Sequence, residues 1–435
     1  MSREMNSEYA CFGAIPSNWD VKKIKSVFTL KSVKSGGVGE LLSVYLDRGV
    51  ISYSDSTGMQ VHKPSQDLSN YQVVNNGDFV LNNQQAWRGS VGVSKYDGII
   101  SPAYVIYTMG KDCDPSYMGY LLRDKSMVQQ YELSSRGVGT IQRNIFVPWL
   151  RESFVLIPPL SEQHRIADFL DSKCSQIDEI SKKIQEEIDT LEEYKKSVIT
   201  EAVTKGLDAN VEMKDSRNYW YGKIPSAWAI MKTLYVLSQP ITDGPHTTPE
   251  LFDDGVPFVS AEAVSFGKGG IDFDHIRGYI SEEFYELCCK KYIPQKNDVY
   301  MIKSGATTGR VSIVTTDRKF TIWSPLAVFR CSTTVIKPKF LFYALQAVPY
   351  QNQVQDGWSF GTQQNIGMRT LEQLRIAVPP VSEQALIVEY LDKYWDKITE
   401  AIKAKQHQLS TLEEYKKSLI YEYVTGKKEV PDADA

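Results

Sequence analysis

The sequence predicts an α+β protein: two globular domains alternate with two long helices that pair as an antiparallel coiled coil, and the chain is a pseudo-twofold tandem repeat. Three observations carry this. Strings recur at an offset of 221 residues, and two segments keep an apolar residue at every seventh position for about forty residues. The stretches between them break into short apolar runs bounded by glycine, asparagine and aspartate.

The repeat is read first. TLEEYKKS occurs at 190–197 and again at 411–418. At the same offset PPLSEQ (158–163) answers PPVSEQ (379–384), and Asn144–Ile145 answers Asn365–Ile366. GTIQRNI (139–145) matches GTQQNI (361–366) after a one-residue deletion, and the SP of SPAYVIY (101–107) matches that of SPLAVFR (324–330). Asp78 and Gly89 correspond to Asp298 and Gly309, and IPSNW (15–19) recurs as IPSAW (224–228). The implied order is a domain at 1–160, a helix at 161–206, a domain at 207–381, a helix at 382–427 and a tail at 428–435. Similarity is high in the helices and low in the domains, as expected of one scaffold presenting two different heads.

Within the first domain FVL (79–81), VGV (91–93) and AYVIY (103–107) read as strands, and 116–131 has helical spacing, as has 339–348 in the second. FVLIPP (154–159) and RIAVPP (375–380) read as closing strands. In the first long helix Leu170, Ile177, Ile184, Leu191 and Val198 form the stripe, with Ile180, Ile188 and Ala202 beside it. Leu391, Ile398, Leu412 and Leu419 hold the same register in the second, Lys405 interrupts it, and Ile402 and Leu409 flank it. Ser161 and Ser382 are expected starts, Gly206 and Gly426 expected stops. Some 45 residues at 1.5 Å each make a rod of roughly 65–70 Å. An apolar stripe needs a partner; the other rod supplies one as an antiparallel coiled coil, and a domain surface is the alternative.

Composition narrows the function. No apolar run reaches the length of a membrane span and the N-terminus lacks an apolar leader, so a cytoplasmic protein with no membrane contact is expected. The six cysteines are scattered without a CxxC pair, and with five dispersed histidines they suggest neither a disulfide framework nor a metal site. No cofactor is expected. Both Pro-Pro pairs lack the acidic, amide or hydroxyl residue before them and the aromatic after them that an adenine methyltransferase needs. KSGATTGR (303–310) has the glycines of a phosphate loop without its Lys-Ser/Thr end. The net charge of −4 argues against a generic nucleic-acid binder. That acidity is local: the helices and tail hold it, and 1–160 with 207–381 carry a surplus of +3. Tight DNA binding would then draw on charge supplied by partners.

The order of these parts resembles the specificity subunits of type I restriction–modification systems. The strings that carry the likeness are GDFVLNNQQAWRGSVGVS and GIISPAYVIY (77–107), DGPHTTPELFDDGVPFVS (243–260), NDVYMIKSGATTGRVSIV (297–314), GTQQNI (361–366) and the two PPxSEQ helices. The likeness covers nearly the whole chain. It implies a non-catalytic subunit whose two target-recognition domains each read one half of a bipartite site in double-stranded DNA. It further implies that the helices set the gap and dock two methyltransferase subunits, with restriction subunits completing the nuclease. The first half has no DGPHTTP, which implies recognition domains of different subtype and an asymmetric site.

Candidate contact residues follow from glycine-framed loops. In NNQQAWRGS the amides of Asn82, Asn83, Gln84 and Gln85 suit adenine edges, and Arg88 suits guanine. In KSGATTGR the candidates are Lys303, Ser304, Thr307, Thr308 and Arg310; an ordinary hairpin turn is the alternative. SSRGVGTIQRN offers Arg136, Thr140, Gln142 and Arg143, and GWSFGTQQN offers Thr362, Gln363 and Gln364, with a role at the domain–helix junction equally open. In DGPHTTP, His246 and Thr247 are candidates, against a turn held by Asp243. EEYKKS, as Glu192, Glu193, Tyr194, Lys195 and Lys196 and again as Glu413, Glu414, Tyr415, Lys416 and Lys417, suits a docking surface for two identical partners; a solvated ion-pair face is the alternative. A scaffold joining two protein-binding domains without touching DNA is the rival function, and a self-contained methyltransferase or nuclease a third.

Overall fold

Each long helix starts directly after a Pro-Pro pair that closes a buried strand. The strands are Phe154–Ile157 and Arg375–Val378, and the helices that follow are Leu160–Lys205 and Val381–Val424. Proline has no N–H to lose at a helix entrance, and its φ already suits one. Both helices begin one residue ahead of the expected serine, so Ser161 and Ser382 lie inside the first turn and are not its caps. Gly206 and Gly426 end the rods in the left-handed region, at φ 79° and 68°. The computed structural model describes residues 11–46, 48–56, 64–138, 142–360 and 364–431.

Along each rod the covered residues fall on positions of one register whose steps alternate between four and three, the signature of a coiled-coil seam. The first rod covers Leu170, Cys174, Ile177, Ile184 and Ile188; the second covers Leu391, Ile398, Ile402, Leu419 and Tyr423. Ile180, expected beside the stripe with Ile188 and Ala202, is 47% exposed. It lies three residues past Ile177, on the far side of the seam from Cys174 and Ile188, which sit four residues past their heptad position.

The chain divides into two compact units, 1–184 with 407–435, and 185–406. The division passes through both rods, so each unit joins one globular domain to part of each. In the first unit Phe169 meets Tyr423 with ring centroids 4.5 Å apart, and Lys416 Nζ reaches both carboxylate oxygens of Asp178 at 2.6 and 2.7 Å. In the second, Lys405 pairs with Glu187 and Lys195 lies over the ring of Trp395. Numbers rise on one helix as they fall on the other, so the pairing in each unit is antiparallel. Lys405 interrupts the apolar stripe because it makes an ion pair across the seam.

The two domains share a frame. In the first, an antiparallel four-stranded sheet runs in the order Phe28–Lys31, Tyr104–Met109, Phe79–Asn82, Val91–Val93. In the second the order is Thr242–Asp243, Leu326–Phe329, Val299–Ile302, Val311–Ile313. Asp78 and Asp298 are both buried and each accepts the backbone N–H three residues before it, from Asn75 and Gln295 at 2.8 and 2.9 Å. Each also holds a cation, Lys31 and Arg330 respectively. The segment 116–131, read as one helix, is two, Pro115–Leu121 and Lys125–Leu133, because Asp124 caps the second. Pro338–Gln346 and Val348–Asp356 repeat the pair. Gln130 and Gln353 on the second helix of each pair bond both backbone groups of one closing-strand residue, Phe154 and Arg375. Beyond this frame the units differ: the second adds a sheet of Val256–Val259, Tyr279–Ile280 and Thr321–Ile322.

The IPSxW strings cover rod ends. Trp228 is buried beside Gly206, and its Nε1 donates to Glu383 at 3.0 Å. Trp19 lies against Gly426, where an added Cβ would stand 2.3 Å from Pro16 Cδ. Lys427 donates to the carbonyls of Phe12 and Ala14. Among the described residues no helix is long and apolar enough to cross a membrane, and the six cysteines are free thiols.

Candidate nucleic-acid interface

In both units the same backbone hydrogen bond joins the glycine-framed loop to the hairpin that follows the paired helices. Ile145 N–H donates to Asn83 O at 3.0 Å, and Ile366 N–H donates to Lys303 O at 2.9 Å. Each loop is also closed in the same way: Asn82 N–H reaches Ser90 O at 3.0 Å, and Ile302 N–H reaches Arg310 O at 2.9 Å. The loops turn at Gly89 and Gly309, with φ of 100° and 95°, a conformation a side chain would strain. Two strings that are distant in sequence thus become one surface in each unit.

The first unit's surface is arginine over aromatic rings. Its hairpin is Ser135–Val138 with Gln142–Ile145. Arg136 lies 3.5 Å from the ring centre of Phe146 and 4.2 Å from that of Trp149, which is 47% exposed. Arg88 and Arg143 each stand 5.3 Å from the ring of Trp87, and Arg143 also pairs with Glu132 at 3.0 Å. Rings hold Arg88 and Arg136 in place without neutralising them, which leaves their charge for phosphate or a base edge. Asn82 Oδ1 is used locally, accepting from Gln84 N–H at 3.0 Å. Gln84 is exposed, and Asn83 and Gln85 are half-buried. Phe146 and Trp149 carried no expectation; their signal was the aromatic pair next to the hairpin's arginines. Thr140 lies outside the described residues, and only the backbone of Gln142 is described.

The second unit's surface is built on a buried carboxylate. Asp243 is fully buried and pairs with Lys291, with Lys303 Nζ at 3.3 Å and with His246 Nε2 at 3.2 Å. It thereby ties DGPHTTP to KSGATTGR. Lys303 is mostly buried on this carboxylate, whereas the His246 side chain is 72% exposed; Thr247 is exposed. Gly244 lies so close to the strand beside it that a Cβ would stand 2.0 Å from Ile322 O. Gly305 N–H donates to Gln364 O at 3.0 Å, Ser304 bridges to Asn365, and Thr308 Oγ1 donates to Gly305 O at 2.7 Å. Thr307 accepts from Ser265 Oγ at 3.2 Å; exposed Arg310 donates to Ser265 O at 3.1 Å. Gln364 is exposed, and Thr362 and Gln363 lie outside the described residues.

The EEYKKS residues divide by heptad position. Glu192, Glu193, Tyr194 and Lys196 are exposed, as are Glu413, Glu414, Tyr415 and Lys417. Lys195 and Lys416 lie four residues past Leu191 and Leu412 and face the seam. Lys416 bonds Asp178 there, and Lys195 stacks on Trp395. Burial lowers the Lys195 ammonium to about 8.

A duplicated α+β frame with two rods and two differently furnished loop surfaces defines a specificity-type subunit, and the comparisons agree. The profile of the type I restriction modification DNA specificity domain matches residues 16–190 and 247–410. The chain belongs to that family. It is similar to the putative type I restriction enzyme MjaX specificity subunit of Methanocaldococcus jannaschii, at 24% identity over 98% of this chain and 97% of that one. The MjaVIII specificity subunit of the same organism is 23% identical over 95% of this chain and 93% of its own. The EcoBI specificity subunit of Escherichia coli is 25% identical over 66% of this chain and 59% of its own. A solved chain described under the assembly and conformational transition of the type I R-M system has the same fold, with TM-score 0.66, 17% identity and coverage of 95% and 99% of the two chains.

Proposed function

We propose that this chain is the non-catalytic DNA-reading subunit of a type I restriction–modification complex, acting on a bipartite, asymmetric site in the cytoplasm. Residues 1–160 and 207–381 each read one half-site, and the rods at 161–206 and 382–427 join them. Two methyltransferase subunits dock on the exposed EEYKKS residues and methylate adenine, and restriction subunits cleave. The observation that carries the reading is the shared loop-to-hairpin hydrogen bond, Ile145 to Asn83 and Ile366 to Lys303, beneath two different sets of side chains. One frame offers arginines on aromatic rings in the first unit; in the second it offers small hydroxyls, His246 and Arg310. Different side chains on one frame suit two unlike half-sites.

The test is methylation mapping in a host that carries the gene with its methyltransferase partner, beside assays of the purified chain. An interrupted asymmetric motif in the host, together with no methyl transfer by the chain alone, is the expected pair of results. Methyl transfer by a preparation free of partner, or no motif at all, would overturn the reading.

A further inference from the structure

Within the second unit, the corner between the rods and the globular domain opens into a groove of about 840 Å³. Lys195, Lys196 and Trp395 line its rod side, and Lys268, Arg310 and Gln351 its domain side. Lys195 Nζ sits 3.3 Å from the ring centre of Trp395 and 3.5 Å from Thr399 Oγ1. Among the described residues no carboxylate stands at ion-pair distance from it. The repeat shows what is missing. Asp178, which binds Lys416 through both oxygens, has Thr399 as its counterpart 221 positions on. The second unit keeps the lysine and lacks the acid.

The other wall adds uncommitted charge. Lys268 holds a left-handed backbone, φ 44°, that a side chain rarely adopts; its Nζ donates to the neutral Gln406 Oε1 at 3.2 Å, and among the described residues no carboxylate is at ion-pair distance from it. Arg310 donates to a carbonyl, Ser265 O, and keeps its charge. Lys196 pairs with Glu193 at 2.6 Å on the rim, beside exposed Glu192. Gln351 donates to Gly309 O at 2.9 Å, so the groove wall and the 303–310 loop are one piece of structure.

We propose that this groove takes one backbone phosphate of the duplex whose bases the 303–310 loop reads, with Lys195 and Lys268 as its cationic walls. The proposal rests on the DNA-reading function above. A phosphate there supplies the negative partner that Thr399 does not, in a site partly screened from water where such pairing is strong. An acidic segment of a protein partner is the competing occupant. DNA fits better because Arg310 and Thr308 of the reading loop themselves line the groove.

The test is specific DNA binding by the full chain assembled with its partner subunits, measured across salt concentrations and pH. Lys195→Gln and Lys268→Ala should each reduce the slope of log affinity against log salt by about 0.9, the value for one lost phosphate contact, and leave the preferred sequence unchanged. Lys195→Arg should keep the slope. Wild-type affinity should fall as pH rises beyond about 8, where Lys195 loses its proton, and the arginine variant should not follow it. The charged groups that line the groove with Lys195 are Glu192, Glu193, Lys196, Lys268 and Arg310. Lys268 is exposed, so its variant answers even if Lys195→Gln unfolds. Two variants with wild-type slopes, in a complex that still selects its site, would overturn the groove and leave the reading function standing. Lost assembly with unchanged slopes in the remaining complex would make the groove a protein contact and also overturn it. A wild-type complex that selects no sequence would remove both.

Discussion

Gln163 and Gln384 stand 221 residues apart and make the same three hydrogen bonds. Both are fully buried. Gln163 accepts from Asp114 N–H at 2.8 Å and donates to Asp112 O and Pro158 O at 2.8 and 2.9 Å. Gln384 accepts from Lys337 N–H at 2.7 Å and donates to Val335 O and Pro379 O at 2.9 Å each. In each unit the glutamine of PPxSEQ rivets the rod's first turn to the loop that enters the paired helices.

Gln163→Leu should therefore cost about 3 kcal/mol, since leucine strands one backbone donor and two acceptors in a buried site. Thermal and denaturant melts would show the loss, and amide exchange at Asp114 would speed up. A leucine variant melting like the wild type would show that solvent reaches these groups and that the rivet is not needed.

Arg310→Ala, Arg136→Ala and Gln85→Ala should weaken specific DNA binding more than they weaken folding. All three lie on glycine-framed surface loops or hairpins, where substitutions usually cost within about 0.5 kcal/mol of stability. Binding titrations run beside melts separate the two effects. A large fall in melting temperature, with unchanged binding by the folded fraction, would assign the residue to structure.

Exchange of residues 207–381 for the corresponding domain of a relative should change one half-site and preserve the other. The matched frames make this a fair graft: the same sheet order and the same Gln130 and Gln353 clamps serve both domains. Methylation mapping reads the outcome. A change in both half-sites would contradict modular reading.

Seven residues inserted after Ile184 and seven after Gln406 preserve the four-three spacing of the seam and lengthen each rod by about 10.5 Å. That corresponds to about three base pairs, while the groove turns by about 100° and the helices drift by only roughly 20°. The expected result is a preferred gap longer by two to three base pairs with lower affinity, or no binding. Unaltered gap and affinity, measured on a series of spaced duplexes, would mean that the rods do not set the spacing.

The rods and the repeat were legible because heptad periodicity and octamer identity are local signals. Lys195 and Lys416 were countable as seam residues from Leu191 and Leu412, and the identity of EEYKKS drew attention to docking instead. Ile180 misled because three and four residues past a heptad position look alike on an apolar scale but fall on opposite sides of the seam. Asp124 broke an apparently continuous helix through its cap, a single side chain. The Gln130 and Gln353 clamps sit in the dissimilar parts of the repeat, where the offset drifts to 223. The pairing of loop 303–310 with residues 364–366 depends on a backbone bond between segments some sixty residues apart, which no local pattern announces. Asp243 was read as a turn residue; the two lysines that converge on it, Lys291 and Lys303, come from distant parts of the chain and could only be seen in three dimensions.

The contacts at Gly426 have a topological consequence. In the first unit Pro16 and Trp19 cover the end of the second rod, and Lys427 holds the carbonyls of Phe12 and Ala14, much as Trp228 covers Gly206 in the middle of the chain. Residues 12–19 and Gly426–Lys427 are thus neighbours, joined by the same kind of junction that Trp228 makes with Gly206. The order of the described parts therefore closes into a ring. A circularly permuted gene that begins at residue 207, runs to the tail, crosses a short linker to residue 11 and stops at 206 encodes every junction of the native molecule.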